Sequence, residues 1–360
     1  MLLILLSCAG RVDTSRRAPL PDPPAPEPTV PAQQALPAVE AGALSWDLQG
    51  PLPPLTQTWS TRVQGRVHHL VAWQDSVVVS ARQELAAFSP SGAPLWSEVG
   101  SWTADLGLQG SQLTALGSLE LRRCATPLCD PPTVEDTLQQ LAGIPLELPS
   151  GTLSLSEAGT LIEWGLDLGS APAAPLSAGG AFVFVSLQKG ELVAATPEGV
   201  QWRENLGGPG LGRPLVHQGR VCATSAPHEI AAGQLSCFDL DGTLIWREEL
   251  HPHAVGALGY WEGQLIAVQP EGVVQAWELQ DGTPLWTLEL SSQPVTGISA
   301  ARGRAYVGLA DATIRVIDLD EGGELGKVEL PSMATTQPLL LPGQLIVGCE
   351  DGSVLAFKAQ

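Results

Sequence analysis

From Trp59 onward the chain alternates short apolar runs with glycine turns, and the alternation recurs. Turn-plus-strand pieces lie at HQGRVCATS (Gly219), WEGQLIAVQ (Gly263), ARGRAYVGL (Gly303) and LPGQLIVGC (Gly343), spaced by 44, 40 and 40 residues. Upstream, SAGGAFVFV (Gly179), AGIPLELP (Gly143), LQGSQLTAL (Gly110) and WQDSVVVSA (Asp75) continue the series at 40, 36, 33 and 35. Apolar positions alternate by two, not by three and four, which predicts strands and excludes a helical repeat.

Each copy reads as four strands. A turn opens an apolar strand, a second turn follows (QKG at 188–190, PEG at 270–272, EDG at 350–352), then a third strand, then a Gly turn into a strand carrying Trp. Four strands per unit of about 40 residues predict an all-β, eight-bladed β-propeller with four antiparallel strands per blade. Seven blades with 118–148 inserted in the second is the alternative; Gly143 and Gly151 keep blade spacing and favour eight. The last copy ends at SVLAFKAQ without a fourth strand, so residues 57–63, with Trp59, are expected to supply it and close the ring. Closure removes exposed sheet edges between first and last blade.

DGTLIW at 241–246 and DGTPLW at 281–286 mark the turn between third and fourth strands. Gly there accepts positive φ, and the Trp that follows is placed to lie against the neighbouring blade. Ala276, Glu278, Gly282 and Trp286 carry the full spacing; Cys237, Asp239, Gly242, Trp246 and Ala87, Gly92, Trp96 have one residue fewer. Val316, Asp318, Gly322 and Gly326 keep the spacing but lose the Trp, and Gly199 with Trp202 and Gly159 with Trp164 are looser. This pattern resembles the pyrroloquinoline-quinone-type propeller repeat over roughly 43–360, as does SWDLQGP at 45–51. The resemblance implies that Trp59, Trp96, Trp164, Trp202, Trp246 and Trp286 dock between blades.

Composition adds little to the fold but narrows function. The net charge of −20 offers no counterion release for nucleic acid. No apolar run reaches 18 residues, so no spanning helix is expected. The chain opens MLLILLSCAG, and Leu5-Leu6-Ser7-Cys8 resembles a bacterial lipobox, although residues 1–6 lack the basic start of a signal peptide. Residues 18–37 hold eight prolines and no aromatic, which predicts an extended tether over 9–42, reaching about 100 Å at most. The expected organisation is a lipoprotein-type stub (1–8), a Pro-rich tether (9–42) and a propeller (43–360). Ala9 lacks the Asp of inner-membrane retention, so the resemblance implies the periplasmic face of the outer membrane.

Candidate chemistry is sparse. Cys124 with Cys129, and Cys222 with Cys237, are possible disulfides of an exported protein; Cys349 reads as a small core residue. Neither His251-Pro252-His253 nor His68-His69 has a third metal ligand. An EF-hand begun at Asp239 would need an acid at Leu250, and GGPGLG at 207–212 lacks the Lys of a phosphate loop. There is no vicinal Cys pair of the quinone dehydrogenases, and fold does not transfer a cofactor. No cofactor, metal or catalytic residue is therefore expected. The resemblance is to outer-membrane assembly lipoproteins of BamB type, which implies a non-catalytic scaffold for other proteins, with no nucleic acid. The alternative is a sugar-binding, hydrolytic or quinoprotein-like propeller using the central channel. The small apolar positions AVQ, VGL, VGC and VVS, read as facing the axis, favour the scaffold.

Overall fold

The computed structural model describes residues 51 and 53–359, apart from 103–104, 110–111, 117–119, 126–132, 137–140, 144, 149–150, 227–232, 251–257 and 270. Cys8, the 9–42 tether, residues 43–50, Cys129 and the 251–253 His pair lie outside the described residues. Among the described residues every regular element is a strand. Seven antiparallel sheets have four strands each, in chain order: blade 1 (67–99), blade 2 (105–136), blade 4 (177–205), blade 5 (215–250), blade 6 (258–289), blade 7 (294–329) and blade 8 (339–359). The fourth strand of blade 8 is Leu55–Arg62, paired antiparallel with Ser353–Ala359. Unit 3 is an abbreviated copy: hairpin 146–153 and hairpin 160–167 are joined by a Leu155–Leu161 bridge. Residues 118–148 are no insertion, since Glu120–Cys124 and Thr133–Asp136 are the third and fourth strands of blade 2.

The core is distributed over the seams between blades. Along the second strand of blade 6, Leu265 and Ala267 pack with blade 5, whereas Ile266 and Val268 pack with blade 7. Successive side chains point to opposite faces, and here both faces are buried. That explains why second strands such as Gln344–Gly348 are buried at every position while outer strands alternate. The ring closes through the same contacts: Ile346, Val354 and Ala356 of blade 8 share a cluster with Val77, Val79 and Ala86 of blade 1. First strands lie side by side between blades 1 and 2, 4 and 5, 6 and 7, 7 and 8, and 8 and 1, so they line the axis.

Local turn chemistry fixes this meander. Gln218-Gly219, Glu262-Gly263 and Arg302-Gly303 have positive φ at both central residues, the mirror-image turn whose twist suits a two-residue hairpin. In the third copy the equivalent strand begins at Gly151, after Leu146–Leu148. The register anchored on Gly143 was therefore displaced, because this unit's strands are two or three residues long.

The indoles hold blade to blade. Trp246 stacks on Gly282 of the next blade, where a Cβ would sit 2.6 Å from the ring, and its Nε1 donates to Leu279 O at 3.0 Å. Trp286 repeats this on Gly322 and Leu319 O (2.9 Å), and Trp202 on Gly242 and Leu240 O (2.9 Å). Trp59 does so on Gly92 and Pro90 O (2.9 Å), which joins blade 8 to blade 1. Each of these indoles stands opposite a small residue within its own sheet: Ala194, Cys237, Ala276 and Ala356 face Trp202, Trp246, Trp286 and Trp59. A register shift lies beside each pair; such bulges re-aim a side chain. Trp96 faces Ala87 in the same way and packs on the blade 2 cluster.

Two positions depart from the pattern for physical reasons. Trp164 is not on an outer strand: it lies in the tight turn of the 160–167 hairpin, packed on the unit 3 and blade 4 cluster. No described atom lies within 4 Å of a Cβ placed on Gly199, so Trp164 has no glycine platform there. At Gly326 the missing Trp follows from closure. The last two strands of blade 8 come from opposite chain ends, so no glycine turn joins them to receive a ring. Pro53 lies over Gly326 instead, 2.9 Å from a Cβ placed there, and the buried Tyr306 hydroxyl donates to Pro51 O at 2.8 Å. Burial pushes the Tyr306 phenol up to about 12, which keeps it a donor.

Trp246→Ala is expected to cost about 3–5 kcal/mol in urea unfolding. Gly282→Ala is expected to cost about 1–3 kcal/mol, and less in the Trp246→Ala background, where the clash is gone and only the strain of Ala at positive φ remains. Additive losses in the double variant would show that Gly282 does not support the ring. On the inner strand Val67–Trp73, burial, then His69, Arg66 and Arg82, push the His68 imidazole down to about 4. The unfolded chain thus takes up this proton below about pH 6.5 and the folded one only near 4. Stability should drop as the pH is lowered from about 6.5 to about 4, less so in His68→Gln, as read by chemical denaturation of both proteins at each pH.

Candidate functional site

The candidate surface is the outer side of blades 5–7 with its turns. Asp239, Asp281 and Asp318 cap their own turns by accepting backbone N–H groups at 2.8–2.9 Å. The Thr283 backbone N–H holds the exposed Asp281 carboxyl below its ordinary value. Between blades 5 and 6, Gln218 donates to the Tyr260 hydroxyl at 3.0 Å, which also accepts from Gly263 N at 2.9 Å, and the His217 and Tyr260 rings are 3.7 Å apart. Burial lowers the His217 imidazole, so it stays neutral at neutral pH. The Gln218–Tyr260 bond and the His217–Tyr260 ring contact fix the turns of blades 5 and 6 relative to one another.

Two hollows open at the seams around blade 7. One, of about 650 Å³, lies between the end of Glu324–Glu329 and blade 8, and Gln57, Ser60, Arg62, Glu329 and Ser353 line it. It borders the seam that lacks an indole. Arg62 pairs with Asp351 at 2.5 Å; burial raises that carboxyl, but bonds from Ser353 and Arg62 outweigh it and hold the group low. The other, about 290 Å³, is lined by Trp261, Glu262, Arg302 and Asp320 on the turn side of blades 6 and 7. Each has an arginine and a carboxylate in its wall, Arg62 with Glu329 in one and Arg302 with Glu262 and Asp320 in the other, and can take a small polar group or a side chain.

The cysteines have structural places. Cys222 and Cys237 stand directly opposite on the second and third strands of blade 5, with Cα atoms 4.1 Å apart, and are disulfide-bonded. Cys124 is buried at the blade 1–blade 2 seam and disulfide-bonded. Cys349 is a free, buried thiol, pushed up to about 12 by burial and by Asp351, and so unreactive. His68 and His69 occupy one inner strand, and no group of three or more metal-ligating side chains occurs among the described residues.

One expectation is corrected. AVQ, VGL, VGC and VVS do not face the axis: they fall on or at the end of second strands and are buried in the seams. Their small size serves blade packing. The axis is ringed by first strands, whose polar residues tie blade to blade: Ser177 donates to Pro214 O at 2.6 Å and Ser299 to Pro338 O at 2.5 Å. Sequence reasoning missed these residues because a lone Ser before an irregular connection has no pattern of its own.

The comparisons with known proteins agree with this architecture. The family model described as outer membrane protein assembly factor BamB matches residues 150–249 and 231–360, more than half of the chain. No curated protein matches it by sequence. Among solved structures, BamB from Moraxella catarrhalis superposes with a TM-score of 0.67 at 18% identity, covering 84% of this chain and 99% of that one. The computationally designed protein Ika8 gives 0.67 at 16% identity, covering 86% and 99%. The WD40 β-propeller domain of Doa1 gives 0.56 at 14%, covering 85% and 97%. These likenesses establish the β-propeller fold. With its last 211 residues matched to the family model, the chain belongs to the family of outer membrane protein assembly factor BamB.

Proposed function

We propose that this protein is a non-catalytic scaffold, tethered by a lipid at Cys8 to the periplasmic face of the outer membrane, that assists assembly of outer-membrane proteins. The observation that carries the reading is the family match over 150–360. The geometry supports it in one respect. Trp59, Trp202, Trp246 and Trp286 are each fixed at their seam by stacking and a hydrogen bond, so the loops there are held in place before a partner arrives. Preorganised loops lose little entropy on binding, and protein contacts require no chemistry from them. Residues 9–42 would give the propeller reach away from a membrane surface.

Affinity purification of the native protein is expected to recover outer-membrane assembly components. Recovery of secretion or polysaccharide proteins alone would overturn the assembly role. Labelling with palmitate is expected in the wild type and lost in Cys8→Ala; equal labelling of both would remove the anchor at Cys8.

A further inference from the structure

The outer strands of blades 5, 6 and 7, Leu244–Leu250, Pro284–Glu289 and Glu324–Glu329, each pair on one side only among the described residues. Their free edges carry unpaired backbone groups, the usual template for strand addition. At the same place in each blade, one residue before the docking position, stands an exposed aliphatic: Ile245 (38% exposed), Leu285 (43%) and Leu325 (41%). Trp246 on Gly282 and Trp286 on Gly322 make these three edges neighbours. The result is a repeated apolar position along adjacent, open edges.

Charge decides what such an edge accepts. Over 239–249, 278–289 and 318–329, the outer strands with their turns, twelve side chains are acidic and two, Arg247 and Lys327, are basic. Lys327 is already paired with Glu329 at 3.2 Å, and Arg247 is bonded to Ser236 and to the Asn205 carbonyl. Glu249, Glu289 and Glu321 are exposed and form no ion pair among the described residues. On blade 7, Glu324 also pairs with Arg315 at 2.8 Å, but edges elsewhere carry far less acid: over 87–99 of blade 1 Glu98 alone is charged, and it pairs with Arg122, while over 196–205 of blade 4 Glu198 and Glu204 accompany Arg203, which pairs with Glu191 at 3.0 Å. Natural edges are commonly guarded by Lys. Acidic guarding repels a second copy of this chain and any acidic strand, but attracts a basic one.

We propose that the outer edges of blades 5–7 are a docking surface for a basic, β-forming segment of a partner protein. Its apolar side chains meet Ile245, Leu285 or Leu325, and its Lys or Arg side chains meet the flanking acids. The inference rests on the scaffold reading and deepens it by naming the chemistry of the partner.

The test titrates the full chain with a peptide of about eight residues alternating Val and Lys, against its Val–Glu counterpart and a Gly–Lys control. The Val–Lys peptide is expected to bind about tenfold or more tighter than either, and to weaken steeply between about 0.05 and 0.3 M salt. Glu289→Lys with Glu321→Lys should weaken it about tenfold, whereas Glu157→Lys with Glu350→Lys, an equal charge change on other turns, should weaken it far less. Leu285→Ser should weaken it at unchanged net charge, and amide exchange should slow along Pro284–Glu289 or a neighbouring outer strand. Equal loss in both charge variants, or equal binding of Gly–Lys, would overturn the proposal, leaving only non-specific attraction by an acidic protein. Peptide binding by a protein that co-purifies with no assembly component would keep the surface and remove the assembly role; the converse would remove the surface alone.

Discussion

The structure depends on an indole lying flat on a glycine. A four-stranded sheet with both faces apolar cannot stand alone in water, and each blade needs a neighbour on either side. Burial supplies the attraction but not the alignment, since apolar contact has no direction. The Trp–Gly contact supplies both position and direction: the ring covers Gly282 or Gly322, and its N–H finds a carbonyl in the same turn. Three conditions must hold together for the ring to lie there. The turn needs a residue without Cβ at positive φ, the outer strand needs a bulge, and the residue opposite the Trp must be small. Ala276 opposite Trp286 and Cys237 opposite Trp246 meet the last condition.

Where those conditions fail, the chain uses other means, and the failures are informative. Blade 8 is assembled from both ends of the propeller, so its third and fourth strands share no turn. With no glycine to receive an indole, blade 7 carries Gly326, and the segment leading into Leu55–Arg62 lays Pro53 on it. Gly326 faces Val316, not a small residue, which fits a site that never had to lodge a ring. Unit 3 fails differently. Its strands are too short to present an outer Trp, and Trp164 reaches the shared core from a hairpin turn.

This construction also governs what the molecule offers to others. Since both faces of blades 5, 6 and 7 are spent on neighbours, their turns, connections and outer edges remain for recognition. The turns of blades 5–7 are stiffened by Asp caps and by the Gln218–Tyr260 bond, and the edges beside them carry nearly all their charge with one sign.

The sequence by itself determined the repeat, the strands and the docking residues of blades 4 to 8. Gly–Trp spacing, two-residue turns and alternation are local properties, and Gly282 needs its positive φ whatever surrounds it. It placed the closing strand too, because a third strand without a fourth is visible as an absence in the last copy. Only the tertiary structure decided the rest. Which residues face the axis was misread from AVQ and VGL because a strand buried on both faces has no polar side to reveal its orientation. The register of unit 3 was lost because strands of two or three residues carry too little period. Cys222 and Cys237, 15 residues apart in one blade, were already candidates in the sequence, whereas the reason for Gly326 and the joining of three acidic edges come from residues far apart in the chain, brought together only when the blades pack into a ring.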